Sequence, residues 1–335
     1  MKRIKVLFSH VVLILMLFIW GCDQGRDIEK SDIKIARFEQ DLFSISVYDL
    51  EDSIPWLQAR YPDFFPLFTY KVIEIGGPGE QGFEEKLIAF TTDFTIYKVS
   101  RHIHTLYSDL SVYEEDLGNA FGRYLADFPG RAVPRIISCI SGFNQSIITT
   151  DSLLAISLDK YLGEEDEFYK LLYPPVPEYM RRVMRPEKIV PDALQAWLIT
   201  EFPYSSEKDN LLSQMIYHGR TVYCTQHLIP DIPDTLLWGY TRGQMDFCRQ
   251  NERNMWEYLV ENKKLFNTDR FTVSQFINEA PFTKEYSQES PGKAAVWQGY
   301  KIVKSYVKHN PDVSMYELMT ENNYQKILNL SKYNP

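Results

Sequence analysis

Residues 1–22, MKRIKVLFSHVVLILMLFIWGC, confine whatever this chain folds into to the residues that follow them. Lys2, Arg3 and Lys5 form a basic end. Val6 to Trp20 is an apolar run with one serine and one histidine, and Gly21-Cys22 closes it before the polar stretch DQGRDIEKSD. A basic end, a short apolar core and a small residue at the cut are the parts of a secretory leader. A cysteine straight after the small residue makes it a bacterial lipoprotein signal, in which the leader is cut before Cys22 and Cys22 carries the lipid. Fifteen helical residues reach about 22 Å, short of the roughly 30 Å of a hydrocarbon core, so the run is a poor permanent span. The alternative is an anchor helix that is never cut. Ile19 and Trp20 depart from the usual residues at their positions, which bears on how well the leader is cut and not on export. Two or more acyl chains, at ~0.8 kcal/mol per buried CH₂, anchor a protein to a bilayer without spanning it.

The sequence thus divides into a leader (1–21), a polar tether (22–32) and a single folded domain (33–335) in the cell envelope, facing the periplasm. The residues do not choose between inner and outer membrane. Loss of the leader with its three cations moves the formal charge from −9 to −12. A chain this acidic does not bind nucleic acid by neutralising phosphates, and it gains nothing from an anionic lipid surface. The 22 tyrosines and 20 phenylalanines are read first as core and rim, and second as the lining of a glycan- or peptide-binding groove. With Cys22 lipidated, Cys139, Cys224 and Cys248 remain. Three cysteines allow at most one bridge, and their spacing suits neither a zinc nor a C-x-x-C redox motif. The pairing stays open.

Ile33–Phe43 reads as a strand running into a first helix, and Asp49–Arg60 as a helix ended by YPDFFP. Phe83 to Phe128 carries apolar residues at helical spacing. RIISCI (135–140), SIIT (146–149) and LLAISL (153–158) read as a small antiparallel sheet. Helices follow at 186–202, with Pro186 in the first turn, and at 207–227, 242–262 and 291–309, the last started by Ser290-Pro291. The fold class is α+β, mostly helical, with the small antiparallel sheet packed on long helices.

The chemistry-bearing motifs are missing. There is no P-loop, no G-x-S-x-G elbow, no G-x-G-x-x-G and no H-E-x-x-H. His102 and His104 sit two apart in a helical stretch and so face different ways. His218 and His227, nine apart, stand about 13 Å apart on an unbroken helix. Strand 153–158 followed by helices 186–202 and 207–227 does match the frame of zinc peptidases. Their first helix carries H-E-x-x-H and their second a glutamate. Here that frame offers only Glu201 and His218, fewer than the three or four protein ligands a zinc site takes.

Seven segments together resemble the gliding-motility lipoprotein family GldB: RFEQDLF (37–43), ISLDKYLGEEDEFY (156–169), IVPDALQAWLITEFP (189–203), NLLSQMIYHGRTVYCTQHLIPDIPD (210–234), GYTRGQMDFCRQNERNMWEYLVENKKLF (239–266), APFTKEYSQESPGKAAVWQGYKIVKSYV (280–307) and KILNLSKYNP (326–335). The family is similar to predicted zinc-dependent proteases. The resemblance implies a degenerate zincin-like frame. The H-E-x-x-H region falls on Ala196–Glu201 without its histidines, and His218 stands where a glutamate precedes a glycine. It implies a lipid-anchored component of the gliding machinery, linked to protein secretion. Such a component binds other envelope proteins of that machinery, holding a partner in the old substrate cleft flanked by helices 186–202 and 207–227, with no catalytic residue, no metal and no cofactor. The alternative it leaves is a zinc-dependent peptidase with an atypical site at Glu201 and His218.

Overall fold

The computed structural model describes residues 30–335; Cys22, the leader and the tether as far as Glu29 lie outside the described residues. Strand β1 (Ile35–Arg37) leads straight into α1 (Phe38–Ser44). Helices α2 (Leu50–Arg60), α3 (Phe64–Leu67), α4 (Phe83–Thr92), α5 (Phe94–Leu106) and α6 (Ser111–Asp127) follow. The run of helices expected from Phe83 to Phe128 consists of three, parted by polar side chains that satisfy the new helix starts. Asp93 accepts from the Ile96 amide at 2.9 Å, and Asp109 from the Ser111 amide at 2.8 Å.

Strands β2 (Arg135–Cys139), β3 (Ile147–Thr149) and β4 (Leu153–Ser157) complete a sheet of order β1-β2-β4-β3. The pairs β1–β2 and β2–β4 are parallel; only the edge strand β3 is antiparallel, to β4. The small antiparallel sheet expected from the sequence is therefore a mixed one. The physical reason is that the sheet is covered on both faces, the setting in which parallel strands are found. Ile136, Leu154 and Ile156 pack into one core with α5 and α6, while Ile137, Cys139, Leu153 and Ala155 pack into another with α1 to α4. Every residue of β4 is buried, so its sequence shows no alternation.

Beyond the sheet lie α7 (Glu167–Leu171), α8 (Glu178–Arg181) and α9 (Ile189–Glu201), the last entered through a 3₁₀ turn whose first residue is Pro186. Helix α9 packs on the sheet face of the first core, where Thr200 Oγ1 and Thr149 Oγ1 share a hydrogen bond of 2.7 Å. Helix α10 (Leu211–Leu228) opens on a reciprocal cap, Asn210 Oδ1 taking the Ser213 amide and Ser213 Oγ the Asn210 amide, each at 3.0 Å. The remaining helices are α11 (Asp234–Trp238), α12 (Arg242–Gln250), α13 (Glu252–Glu261), α14 (Arg270–Ile277), α15 (Ala294–His309), α16 (Met315–Thr320) and α17 (Tyr324–Ser331). The single helix expected over 242–262 breaks at Asn251. The start expected at Ser290-Pro291 moves to Ala294, because Ser290 Oγ is tied to the Thr283 backbone instead of capping a helix.

Helices α10 and α15 cross with their backbones in contact. A Cβ at Gly219 would run into the Gly299–Tyr300 backbone, and one at Gly299 into the Met215 carbonyl, so both crossing points must be glycine. Arg220, fully buried beside them, stacks 5.3 Å from both the Tyr217 and Tyr324 rings and donates to the Glu321 carbonyl at 2.6 Å. Cys139, Cys224 and Cys248 are buried and unbridged. Among the described residues no helix is long and apolar enough to cross a membrane.

Candidate functional site

Helices α9 and α10 run antiparallel. The Tyr217 hydroxyl, early in α10, donates to the carbonyl of Phe202 just past the end of α9, while Leu228 at the far end of α10 faces Pro186–Pro191 at the start of α9. Glu201 and His218 therefore lie toward one end of the pair, and a cleft opens at the other.

At the first end, side chains are taken up by packing and pairing. Glu201 Oε2 accepts from Arg131 Nη1 at 2.9 Å and from the Tyr124 hydroxyl at 3.1 Å, and the Arg131 guanidinium lies 5.0 Å over the Phe202 ring. Burial, together with the Glu201 charge, pushes the Tyr124 phenol up. Within Ala196–Glu201, Trp197 is in the core and Thr200 is tied to β3. His218 turns elsewhere: burial, helped by the positive charge of Lys293 at the start of α15, pushes its imidazole down to about 4. It is neutral at pH 7. Glu201 and His218 thus serve different neighbours, and no shared partner joins them. The glycine after His218 is explained by the crossing with α15, without reference to any ligand.

A zinc ion does not fit the residues present. Among the described residues no group of three or more His, Cys, Asp or Glu side chains is placed to hold a metal. The other histidines are engaged singly. His102 Nε2 lies 3.1 Å from Asp166, and His227 Nε2 lies 2.9 Å from Asp127. His104 lines a separate cavity that His102 does not reach, together with Arg37, Glu39 and Arg101.

The opposite end holds a cleft of about 770 Å³. Its walls are the outer face of α6, the Pro186–Pro191 turn leading into α9, and the stiff connector Ile229–Pro233 that follows α10. Leu106 and Val112, 42% and 65% exposed, leave apolar surface on its rim. Asp109, Asp116, Glu187 and Asp231 line it, against a single guanidinium, Arg123, which donates to the Leu228 carbonyl at 3.0 Å. Burial and the neighbouring Glu115 push the Asp116 carboxyl up. The phenol of Tyr113 is raised too, first by burial and then by the charges of Glu187 and Asp116.

The family model described as gliding motility protein GldB matches residues 22–335. The chain belongs to the GldB family. It is accordingly a gliding motility protein. No curated protein and no solved structure matches it. The GldB match takes in both ends of the helix pair. Sequence reasoning fixed on the Glu201 end because the peptidase frame puts its ligands there. It placed a partner-holding cleft between helices 186–202 and 207–227 but gave it neither the α6 wall nor its carboxylates; the one local signal of the connector is the doubled Ile-Pro-Asp of residues 229–234, stiff enough to hold a wall open.

Proposed function

We propose that this GldB-family protein is a lipid-anchored component of the gliding machinery in the cell envelope, linked to protein secretion. In this reading it works by binding a partner protein in the cleft between α6, α9 and the end of α10, and it has lost the peptidase site of its ancestors. The carrying observation is the division of labour along the α9–α10 pair. Glu201 is engaged by Arg131 and Tyr124, and His218 is a half-buried neutral imidazole, while the open surface lies at the far end. Cys22 carries the lipid, and the GldB match beginning at that residue supports this.

The double variant Glu201→Gln/His218→Gln, placed in a motile strain at normal protein level, tests the reading. Gliding is expected to persist, because neither side chain does chemistry. Loss of gliding with the protein present at its usual level, joined to one zinc per purified chain by elemental mass spectrometry, would instead establish the atypical peptidase. Cys22→Ala is expected to release the protein from the membrane; a variant that stays bound identifies the leader as an uncut anchor.

A further inference from the structure

The cleft has a chemistry that narrows its occupant. Its walls present aliphatic side chains (Leu106, Val112, Val190, Ile232) beside four carboxylates (Asp109, Asp116, Glu187, Asp231). The lysines bordering the cleft pair with carboxylates outside it, Lys30 with Glu115 at 3.5 Å, Lys34 with Glu114 at 3.0 Å and Lys188 with Asp192 at 2.7 Å, and of these Lys30 also acts on Asp116 through its charge. Asp109 alone among the four has its negative charge already used locally, by the Ser111 amide and hydroxyl at 2.8 Å. Bringing carboxylates together against a low-dielectric apolar wall raises the local negative potential and favours a cation that arrives with its own apolar surface.

The position of the cleft is equally informative. The described chain begins on α6, where the Ser31 amide donates to the Gly118 carbonyl at 3.1 Å. A Cβ at Gly118 would lie 2.6 Å from the Ser31 carbonyl, so the glycine is what lets the chain cross this helix. Asp116, Asn119 and Ala120, within one turn of that crossing, line the cleft. Seven residues lie between Cys22 and Lys30. The eight steps from Cys22 to Lys30 span at most about 28 Å when fully extended, so a lipid on Cys22 keeps Lys30, which lies beside Gly118 on α6, within about 30 Å of a bilayer surface.

We propose that the cleft receives a segment of a membrane-protein partner lying close to the bilayer, with lysine or arginine along one side and aliphatic side chains along the other. The segment sets its aliphatic side on Leu106 and Val112 and its cations on Asp116, Glu187 and Asp231. This rests on the partner-binding reading given above and adds the partner's chemistry and place.

The full lipoprotein, purified in detergent, is titrated against a fluorescent synthetic peptide of about fourteen residues with lysine on one helical face and leucine on the other. Its glutamate-for-lysine counterpart is the control. The basic peptide is expected to bind. Its affinity should fall about tenfold or more between about 50 and about 300 mM salt, and by a similar factor in Asp116→Asn/Glu187→Gln, which keeps the shape of the cleft. Glu51→Gln/Asp52→Asn, exposed on α2, should leave binding unchanged. Equal binding of the acidic peptide, or equal binding by the isosteric double variant, overturns the proposal. So does a concentration-dependent dimer abolished by the same variant, which would assign the cleft to a second copy of this chain. A blocking variant, Asn119→Trp, checked by its melting temperature, separates the two levels. If it stops gliding while the peptides show no charge preference, the partner's chemistry is wrong and partner binding stands. If it glides normally, the cleft is not the binding site and both readings fall together.

Discussion

The two ends of the α9–α10 pair are made of the same helices and differ in what their side chains do. At the Glu201 end the groups the sequence singles out are tied into the fold: Glu201 pairs with Arg131 and Tyr124, Thr200 with Thr149, and Gly219 packs against Gly299. At the Pro186–Leu228 end, carboxylates and aliphatic side chains line open space, and the one guanidinium is turned to a carbonyl. Groups that stabilise a fold are paired with each other; groups kept for a partner stay unpaired until it arrives. The pair therefore predicts opposite mutational responses at its two ends, in stability at one and in binding at the other.

The sharpest way to break that contrast is at the helix crossing. Gly219→Val or Gly299→Val should cost about 3 kcal/mol or more, since the added atoms meet backbone that cannot move aside. A melting temperature within a few degrees of the parent would show that α10 and α15 are not held in contact. The next effect is pH-dependent. The folded protein holds His218 down at about 4 against an ordinary 6.5, so the unfolded chain takes up a proton first as pH falls. Stability is unaffected above pH 6.5. It declines between 6.5 and 4, by up to about 3 kcal/mol. Denaturant titrations at pH 7 and pH 4 should show a smaller loss in His218→Gln than in the parent, the remainder coming from paired carboxylates such as Glu114 and Glu321; the same loss in both would mean that another group carries it.

Glu201→Gln should be milder, about 1–2 kcal/mol, because Arg131 and Tyr124 keep an acceptor but lose its charge, and chemical denaturation at pH 7 measures it. No stability change at all would make the Glu201 end as dispensable as the cleft and erase the contrast. The smallest stability effect is expected for Asp116→Asn/Glu187→Gln, within about 0.5 kcal/mol of the parent or slightly above it, since like charges are being removed from a partly exposed site. If this variant unfolds several degrees early, the carboxylates are structural and the comparison fails from the other side.

Much of the fold can be read from local patterns. The strand-to-helix start at Ile35–Phe38, the sheet residues 135–157 and the helices ending near Glu201 and Leu228 follow from apolar spacing, proline and small polar caps, all of which act within a few residues. What the residues do not reveal locally is what lies on the other side. The run LLAIS reads as a strand, but whether its neighbour is parallel depends on β2 and on the helices that cover both faces. Ser290-Pro291 has the form of a helix start, yet Thr283, seven residues earlier, claims the serine. Tyr-His-Gly at 217–219 has the look of a site, yet its glycine is fixed by Gly299, eighty residues on.

The sequence by itself determined membership of the GldB family, the mostly helical α+β class and the absence of an H-E-x-x-H pair, because these depend on residue identity and on short-range periodicity. Tertiary structure alone decided that Glu201 and His218 face different neighbours, that the sheet is mixed, and that Asp116, Glu187 and Asp231, from three separate stretches of chain, share one cleft. Charge and apolar surface become a site only when distant segments are brought within reach of each other, and that convergence is set by the packing of the whole core.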